Sequence, residues 1–197
     1  NNITGNCYRV TVAEQISIAL EPLTGKLSRL GAVYKSGELT SEIALDEARK
    51  LAAQQGFELI SFDARTPSDL AAAADLFKQH QVQAVFLSSD SVIAASDEIA
   101  LRPIVTAFPT VCALESTIRR GGLVGRVADW NELCRHGAQI GIEILEGAQP
   151  STIPIGRTPA ARTILNTETA GRLGIKVPNG FAEQASMVDQ GSSRSKK

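Results

Sequence analysis

Apolar positions along the chain keep switching between two rhythms. Val12, Ile16, Ala19, Leu20 and Leu23 recur at helical spacing, and Pro22 with Gly25 closes that segment. Leu30-Gly31-Ala32-Val33-Tyr34 is then a short apolar run of strand type. Ile43, Ala44, Ala48, Leu51 and Ala52 predict the next helix, ended by Gly56 at a C-cap position, and residues 57–62 predict the next strand. Thr66-Pro67-Ser68-Asp69 starts a helix with a hydroxyl cap, a proline at the first helical position and an acid in the first turn, and Leu70, Ala73, Ala74 and Phe77 continue it. Residues 84–87 read as a strand running into Ser88-Ser89-Asp90-Ser91, which predicts a capped helix through Leu101. Residues 109–114 and 122–127 predict two further strands. Asp129-Trp130-Asn131-Glu132 has capping-box spacing and opens a helix through Leu133, Gly137, Ile140 and Ile144 to Gly147.

Such alternation predicts an α/β protein built on a parallel, doubly wound sheet. The longest apolar runs fall far short of the roughly 20 residues of a membrane helix, so no span is expected. The chain begins without an initiator Met or a charged-then-apolar leader, which predicts that a targeting segment is absent or removed. Residues 190–197, Gln-Gly-Ser-Ser-Arg-Ser-Lys-Lys, carry no apolar anchor and are expected to be a disordered tail or an expression scar.

Charge narrows the partners. With 43% hydrophobic and 21% charged residues, and a formal charge of -1, the chain can bury a core but offers no basic field for nucleic acid or an anionic membrane. Small neutral or zwitterionic ligands fit better. Cys7, Cys112 and Cys134 are odd in number and widely spaced, against a disulfide framework or a Cys-x-x-Cys metal site, and read as buried small apolar residues. His80 and His136 are the only histidines, so neither a metal nor another cofactor is expected.

In open parallel sheets ligands sit beyond the carboxyl ends of the strands. Those ends carry Tyr34-Lys35-Ser36, Asp63-Ala64-Arg65, Ser88-Ser89-Asp90-Ser91, Glu115-Ser116 and Arg126 with Asp129. Ser89, Ser91 and Ser116 offer hydroxyls; the bland alternative is plain helix capping. Asp90 and Glu115 offer acceptors for an ammonium group, or are simply solvated loop acids. Arg126 can clamp a carboxylate, or lie exposed at a strand end. Trp130, beside a helix start, reads as packing between lobes. Gly121, Gly122 and Gly125 do not form a nucleotide loop, and no Ser-His-Asp order or G-x-S-x-G elbow occurs, so no enzyme activity is expected.

A set of segments in order carries a family likeness: Asn2-Ile3-Thr4-Gly5, residues 30–34, Ser89-Asp90-Ser91, Glu115-Ser116, Arg120-Gly121-Gly122-Leu123, residues 143–150, Ile153-Pro154-Ile155, residues 164–170, and Leu173-Gly174-Ile175-Lys176-Val177-Pro178. Together they resemble the substrate-binding proteins of ABC importers related to tryptophan- and tyrosine-binding lipoproteins. The resemblance runs from Asn2 to about Asp189. It implies a Rossmann-like lobe of a type I periplasmic-binding, Venus-flytrap fold, in which a small amino-acid-like solute, aromatic amino acids being the best-known class, is held between two lobes and closure presents a surface to a membrane permease.

On that reading residues 1–128 form the second, C-terminal lobe. Residues 129–189 form a return helix and crossover that packs on a largely missing first lobe and ends on the second. Binding by the isolated chain is then expected to be weak. The location implied is periplasmic or extracytoplasmic, with lipid anchoring through a missing N-terminus. The ligand contacts implied are Tyr34, Ser89, Asp90, Ser91, Glu115, Ser116 and Arg126. Three departures from the family pattern bear on the ligand: Ser91 for a usual Asn, Glu115 for a usual Asp, and Arg126 where Tyr is common. The alternatives are the sensing domain of a signalling receptor or transcriptional regulator with the same fold, or an enzyme on a similar sheet.

Overall fold

The structure, a computed structural model of the chain, describes residues 2–157 and 161–189. Seven of its extended segments pair into one sheet: β1 (Arg29–Tyr34), β2 (Glu58–Asp63), β3 (Ala84–Leu87), β4 (Thr110–Cys112), β5 (Val124–Ala128), β6 (Ala161–Asn166) and β7 (Ala185–Val188). The spatial order is β2-β1-β3-β4-β5-β6-β7. Pairings of β1 with β2, β1 with β3, β3 with β4, β4 with β5 and β6 with β7 are parallel. Parallel neighbours need a crossover, and helices supply it.

The first helical stretch shows how local chemistry sets a boundary. Glu14 N–H donates to Thr11 Oγ1 at 3.2 Å and Thr11 N–H to Glu14 Oε2 at 2.8 Å, a reciprocal cap for α1 (Val12–Glu14). A π-helical stretch (Gln15–Leu20) leads into α2 (Glu21–Thr24), which stops at Gly25 with φ 75°. Pro22 has no N–H to give, and its ring crowds the carbonyl one turn back. The wider π stretch lies over that turn.

Next come α3 (Leu39–Gln55), α4 (Leu70–Gln79), α5 (Ser91–Ala95), α6 (Glu98–Val105), α7 (Glu115–Arg119) and α8 (Trp130–Leu145), then α9 (Thr167–Arg172) and α10 (Asn179–Gln184). Leu30 and Ala32 of β1, Phe86 of β3 and Val124 of β5 share a buried cluster with Ile16, Leu20, Leu45 and Leu51, so α1 to α3 cover one face of the sheet. On the other face Gly31 lets the Phe77 ring of α4 lie against β1, since a Cβ there would sit 3.1 Å from that ring. Phe77 in turn meets Phe108 edge-on, with centroids 6.2 Å apart. Helices on both faces make the sheet doubly wound.

Several expectations are corrected. In α3 the core face is Ser41, Leu45, Ala48, Leu51 and Ala52, while Ile43 is exposed: at about 100° per residue it lies on the side opposite Leu45. The helix expected from Ser88 through Leu101 is two, because Ser96 turns extended and Asp97 accepts from Ala100 N–H at 2.9 Å, capping α6 afresh. Only half of the capping box at Asp129 forms; Asp129 accepts from Asn131 and Glu132 N–H, while Glu132 pairs with Arg135. Cys112 is buried as expected, but Cys7 and Cys134 are exposed, on a two-residue strand and on the outer surface of α8. Residues 190–197 lie outside the described residues.

The chain divides into two compact units. Thr11–Arg126 with Thr163–Lys197 contains most of the sheet and the core described above. Asn1–Val10 with Val127–Arg162 is the smaller. In it the short strands Asn6–Cys7 and Gly156–Arg157 pair in parallel, and Asn6 Nδ2 donates to the Leu133 carbonyl of α8 at 3.1 Å. Among the described residues only Val127, Ala128 and Ile140 are buried there, while Ile3, Trp130, Ile142, Leu145 and Ile155 are exposed.

Candidate functional site at the topological switch point

Strand β1 has β2 on one side and β3 on the other, so the connections leaving β1 and β3 diverge to opposite faces of the sheet. Where they part, at the carboxyl ends of these two strands, a doubly wound sheet opens a crevice. The residues delivered there are Tyr34-Lys35-Ser36 after β1 and Ser88-Ser89-Asp90-Ser91 after β3. All of them lie in the larger unit.

A hydrogen-bond lattice joins the two ends to the start of α3. Asp90, 1% exposed, caps α5 by accepting Ile93 N–H at 2.8 Å, and it also accepts the Ser41 hydroxyl at 3.1 Å and the Ser88 hydroxyl. Ser41 accepts Lys35 N–H at 2.9 Å. Asp90 is therefore turned inward, with its carboxylate bonded within the chain.

Outside it lies a second, more accessible cluster. Glu38 accepts the Ser91 hydroxyl at 2.7 Å and Ser91 N–H at 3.0 and 3.2 Å. Lys35 Nζ donates to Ser91 Oγ at 2.7 Å and stands 3.7 Å from Glu38. The Ser91 hydroxyl, then its amide, then the Lys35 charge hold the Glu38 carboxyl below the usual range. Asp63, at the end of β2, takes Ser36 N–H at 2.9 Å and the Ser36 hydroxyl at 2.7 Å, and is likewise depressed by those two bonds.

The remaining predicted residues are spread over the same sheet end. Ser89 and Ser116 are exposed and Tyr34 is half-buried. Glu115 lies in the first turn of α7 and not in a loop, and it accepts from Arg119 Nε at 2.9 Å and Nη2 at 2.7 Å, so its charge is matched within the helix. Ala32 pairs with Phe86, Phe86 with Val111 and Val111 with Val124. Two residues further on, that register sets Tyr34 and Arg126 at one level and on one pleat face, three strand spacings or about 15 Å apart. The Arg126 backbone is bonded to Gln15, but its Nε is buried and makes no hydrogen bond.

Lys35, Glu38 and Ser41 were not singled out from the sequence. The available signal was the polar segment Lys35-Ser36-Gly37-Glu38 between a strand and a helix. Gln15 carried no signal, since its partner is backbone more than a hundred residues away. Among the described residues no group of three or more His, Cys, Asp or Glu is placed to hold a metal ion, and no helix is long and apolar enough to cross a membrane.

The parallel sheet with helices on both faces is the α/β fold of the periplasmic-binding proteins. The chain belongs to the ABC transporter substrate-binding protein family, whose model matches residues 1–189. It is 21% identical over 169 residues to a tyrosine-binding protein of Clostridioides difficile, covering 85% of this chain and 48% of that protein. Its fold is similar to a ligand-free, open substrate-binding protein with adhesive properties from Clostridium difficile (TM-score 0.81, 20% identity, 94% of this chain and 62% of that one). It is also similar to a domain from Streptococcus pneumonia in complex with L-Trp (TM-score 0.75, 22% identity, 95% and 65%). The chain thus spans about half the length of the curated relative it matches.

Proposed function

We propose that this chain supplies the second lobe of the extracytoplasmic solute-binding component of an ABC importer, which takes a small amino-acid-like solute in an interlobe cleft and presents it to a membrane permease. The relatives named above are a tyrosine-binding protein and a domain in complex with L-Trp, so aromatic amino acids are the first class to test.

The observation that carries the reading is Arg126. A guanidinium nitrogen buried without a partner is costly, and a ligand carboxylate is the natural group to satisfy it. Tyr34 sits level with it on the same face. Ser89, Ser91 and Ser116 supply hydroxyls along the same end of the sheet, Glu38 takes the part of the accessible acceptor, and Asp90 holds the Ser88 and Ser41 hydroxyls in place. Glu115, neutralised by Arg119, supports the wall of the site.

The smaller unit is thinly packed on its own. Three buried residues yield only a few kcal/mol of apolar burial, against about 1–2 kcal/mol per residue for ordering backbone. We assign the exposed Ile142, Leu145, Ile155 and Trp130 to an interface with further polypeptide of the first lobe, consistent with the share of the relatives that this chain spans.

The test is calorimetric titration of a panel of amino acids into this chain and into the longest natural polypeptide that contains it. Binding by the long form, lost in Arg126→Met, and weak or undetectable binding by the chain alone are expected. Submillimolar affinity of the 197-residue chain, or an Arg126→Met variant that binds normally, would count against the reading.

A further inference from the structure

At the opposite end of the sheet, beside the amino ends of β4 and β5, Arg102 and Thr106 from the end of α6, Arg120 after α7, and Arg172 at the end of α9 surround a cavity of about 130 Å³, with Glu98 and Val105 completing its wall. Every one of these residues belongs to the larger unit. The cavity is remote in the fold from the carboxyl-end crevice.

Three guanidinium groups face this space, and none forms an ion pair with a carboxylate among the described residues. Part of the arrangement is structural. Arg120 Nη1 donates to the carbonyls of Ala94 at 3.2 Å and Ser96 at 2.9 Å, closing the end of α5. Arg172 Nη2 reaches the Val105 carbonyl at 3.2 Å and Thr169 Oγ1 at 3.2 Å. These bonds use one terminal nitrogen of each fork, while a guanidinium has five N–H donors in a rigid plane. Among the described residues the other fork positions of Arg120 and Arg172, and the whole of exposed Arg102, have no protein acceptors.

With Glu98 counted, the wall carries a net charge of about +2 at neutral pH. Cations converging without counter-charge repel one another, and anchoring two of them on helix-end carbonyls fixes where the free donors lie. Tetrahedral oxyanions match such forks, since two of their oxygens can accept two parallel N–H bonds from one guanidinium while the others face the remaining arginines.

We propose that this cavity is a second ligand site, binding a small phosphate-type oxyanion through Arg102, Arg120 and Arg172. Arg102, the one not anchored on the fold, closes over the anion. Glu98, one turn before Arg102 on α6, competes with the anion for it by i,i+4 pairing.

Inorganic phosphate titrated into the full 197-residue chain at constant ionic strength, in chloride buffer, is the test. Melting temperature and the arginine Nε–H resonances are the readouts, with chloride alone and vesicles of phosphatidic acid in phosphatidylcholine as parallel arms. A saturable rise in melting temperature, with shifts of the Arg102, Arg120 and Arg172 resonances, is expected. Arg102→Gln, at an exposed position that leaves the fold intact, should weaken binding roughly tenfold, and Glu98→Gln should tighten it severalfold. A response to the vesicles that Arg102→Gln also removes would extend the same oxyanion chemistry to a lipid headgroup. A rise no larger than that given by chloride, or one unchanged in Arg102→Gln, would overturn the proposal.

Discussion

Gln15 completes the ladder of β5 with its side chain. Its Nε2 donates to the Arg126 carbonyl at 2.7 Å and its Oε1 accepts Arg126 N–H at 2.9 Å, so one amide satisfies both backbone groups of the residue whose guanidinium Nε is buried without a hydrogen bond. Gln15 is 3% exposed and opens the π-helical stretch, whose wider turn precedes Pro22. Replacing it with leucine strands two backbone groups. Gln15→Leu should therefore cost about 2–4 kcal/mol, read as a lower urea midpoint at unchanged m-value, and should weaken ligand binding through Arg126.

Glu38 should titrate below an ordinary glutamate when followed by carbon-detected NMR. Because its folded value is depressed, its bonds to Ser91 add stability above the unfolded-state value, and that stability is lost as pH falls through the folded one. Ser91→Ala should move the midpoint upward and remove that part of the acid sensitivity. An unchanged midpoint in Ser91→Ala would refute the assignment.

Two glycines should respond with opposite signs. A Cβ on Gly125 would collide with the Cys112 carbonyl oxygen of the neighbouring strand, so Gly125→Ala should lose about 3 kcal/mol or fail to fold. Gly137 lies on the exposed side of α8 with nothing within 4 Å of its would-be Cβ, so Gly137→Ala should gain about 0.5–1 kcal/mol. Paired thermal melts decide both.

Burial pushes the Cys112 thiol up to about 12. Iodoacetamide at pH 8 should modify Cys7 and Cys134 in the native chain and reach Cys112 only after unfolding. The raised value also fixes a pH slope. Stability tied to the neutral thiol is intact below the unfolded-state value near 9 and falls as pH climbs toward 12, and Cys112→Ala should flatten that decline.

Much of the fold was legible in the chain, and the reasons are local. The stripe Leu70, Ala73, Ala74, Phe77 is buried as predicted, because its apolar residues recur at helical spacing and the Thr66–Asp69 capping box marks where the helix starts. Ile43 misled because Ile43, Ala44 and Leu45 are three apolar residues in a row that span the helix circumference, and only packing on the sheet selects Leu45 as the inward one. Residues 185–188 were not read as a strand, since Ala-Ser-Met-Val is too short to show alternation and only its pairing with β6 defines it. At the candidate site, the strand ends were visible, but which groups stay open was not. Asp90 and Glu38 look equally polar in sequence; the Ser41 and Ser88 hydroxyls, brought from two separate segments, draw one inward and leave the other at the rim.

The thin interior of the smaller unit has a consequence for how the molecule breathes. With α8 burying only Ile140, its amide protons should exchange through openings far cheaper than global unfolding, whereas those of β1, β3 and β4 should exchange only when the whole sheet comes apart. A protease would find its first cut in residues 130–157, leaving the sheet as the resistant fragment.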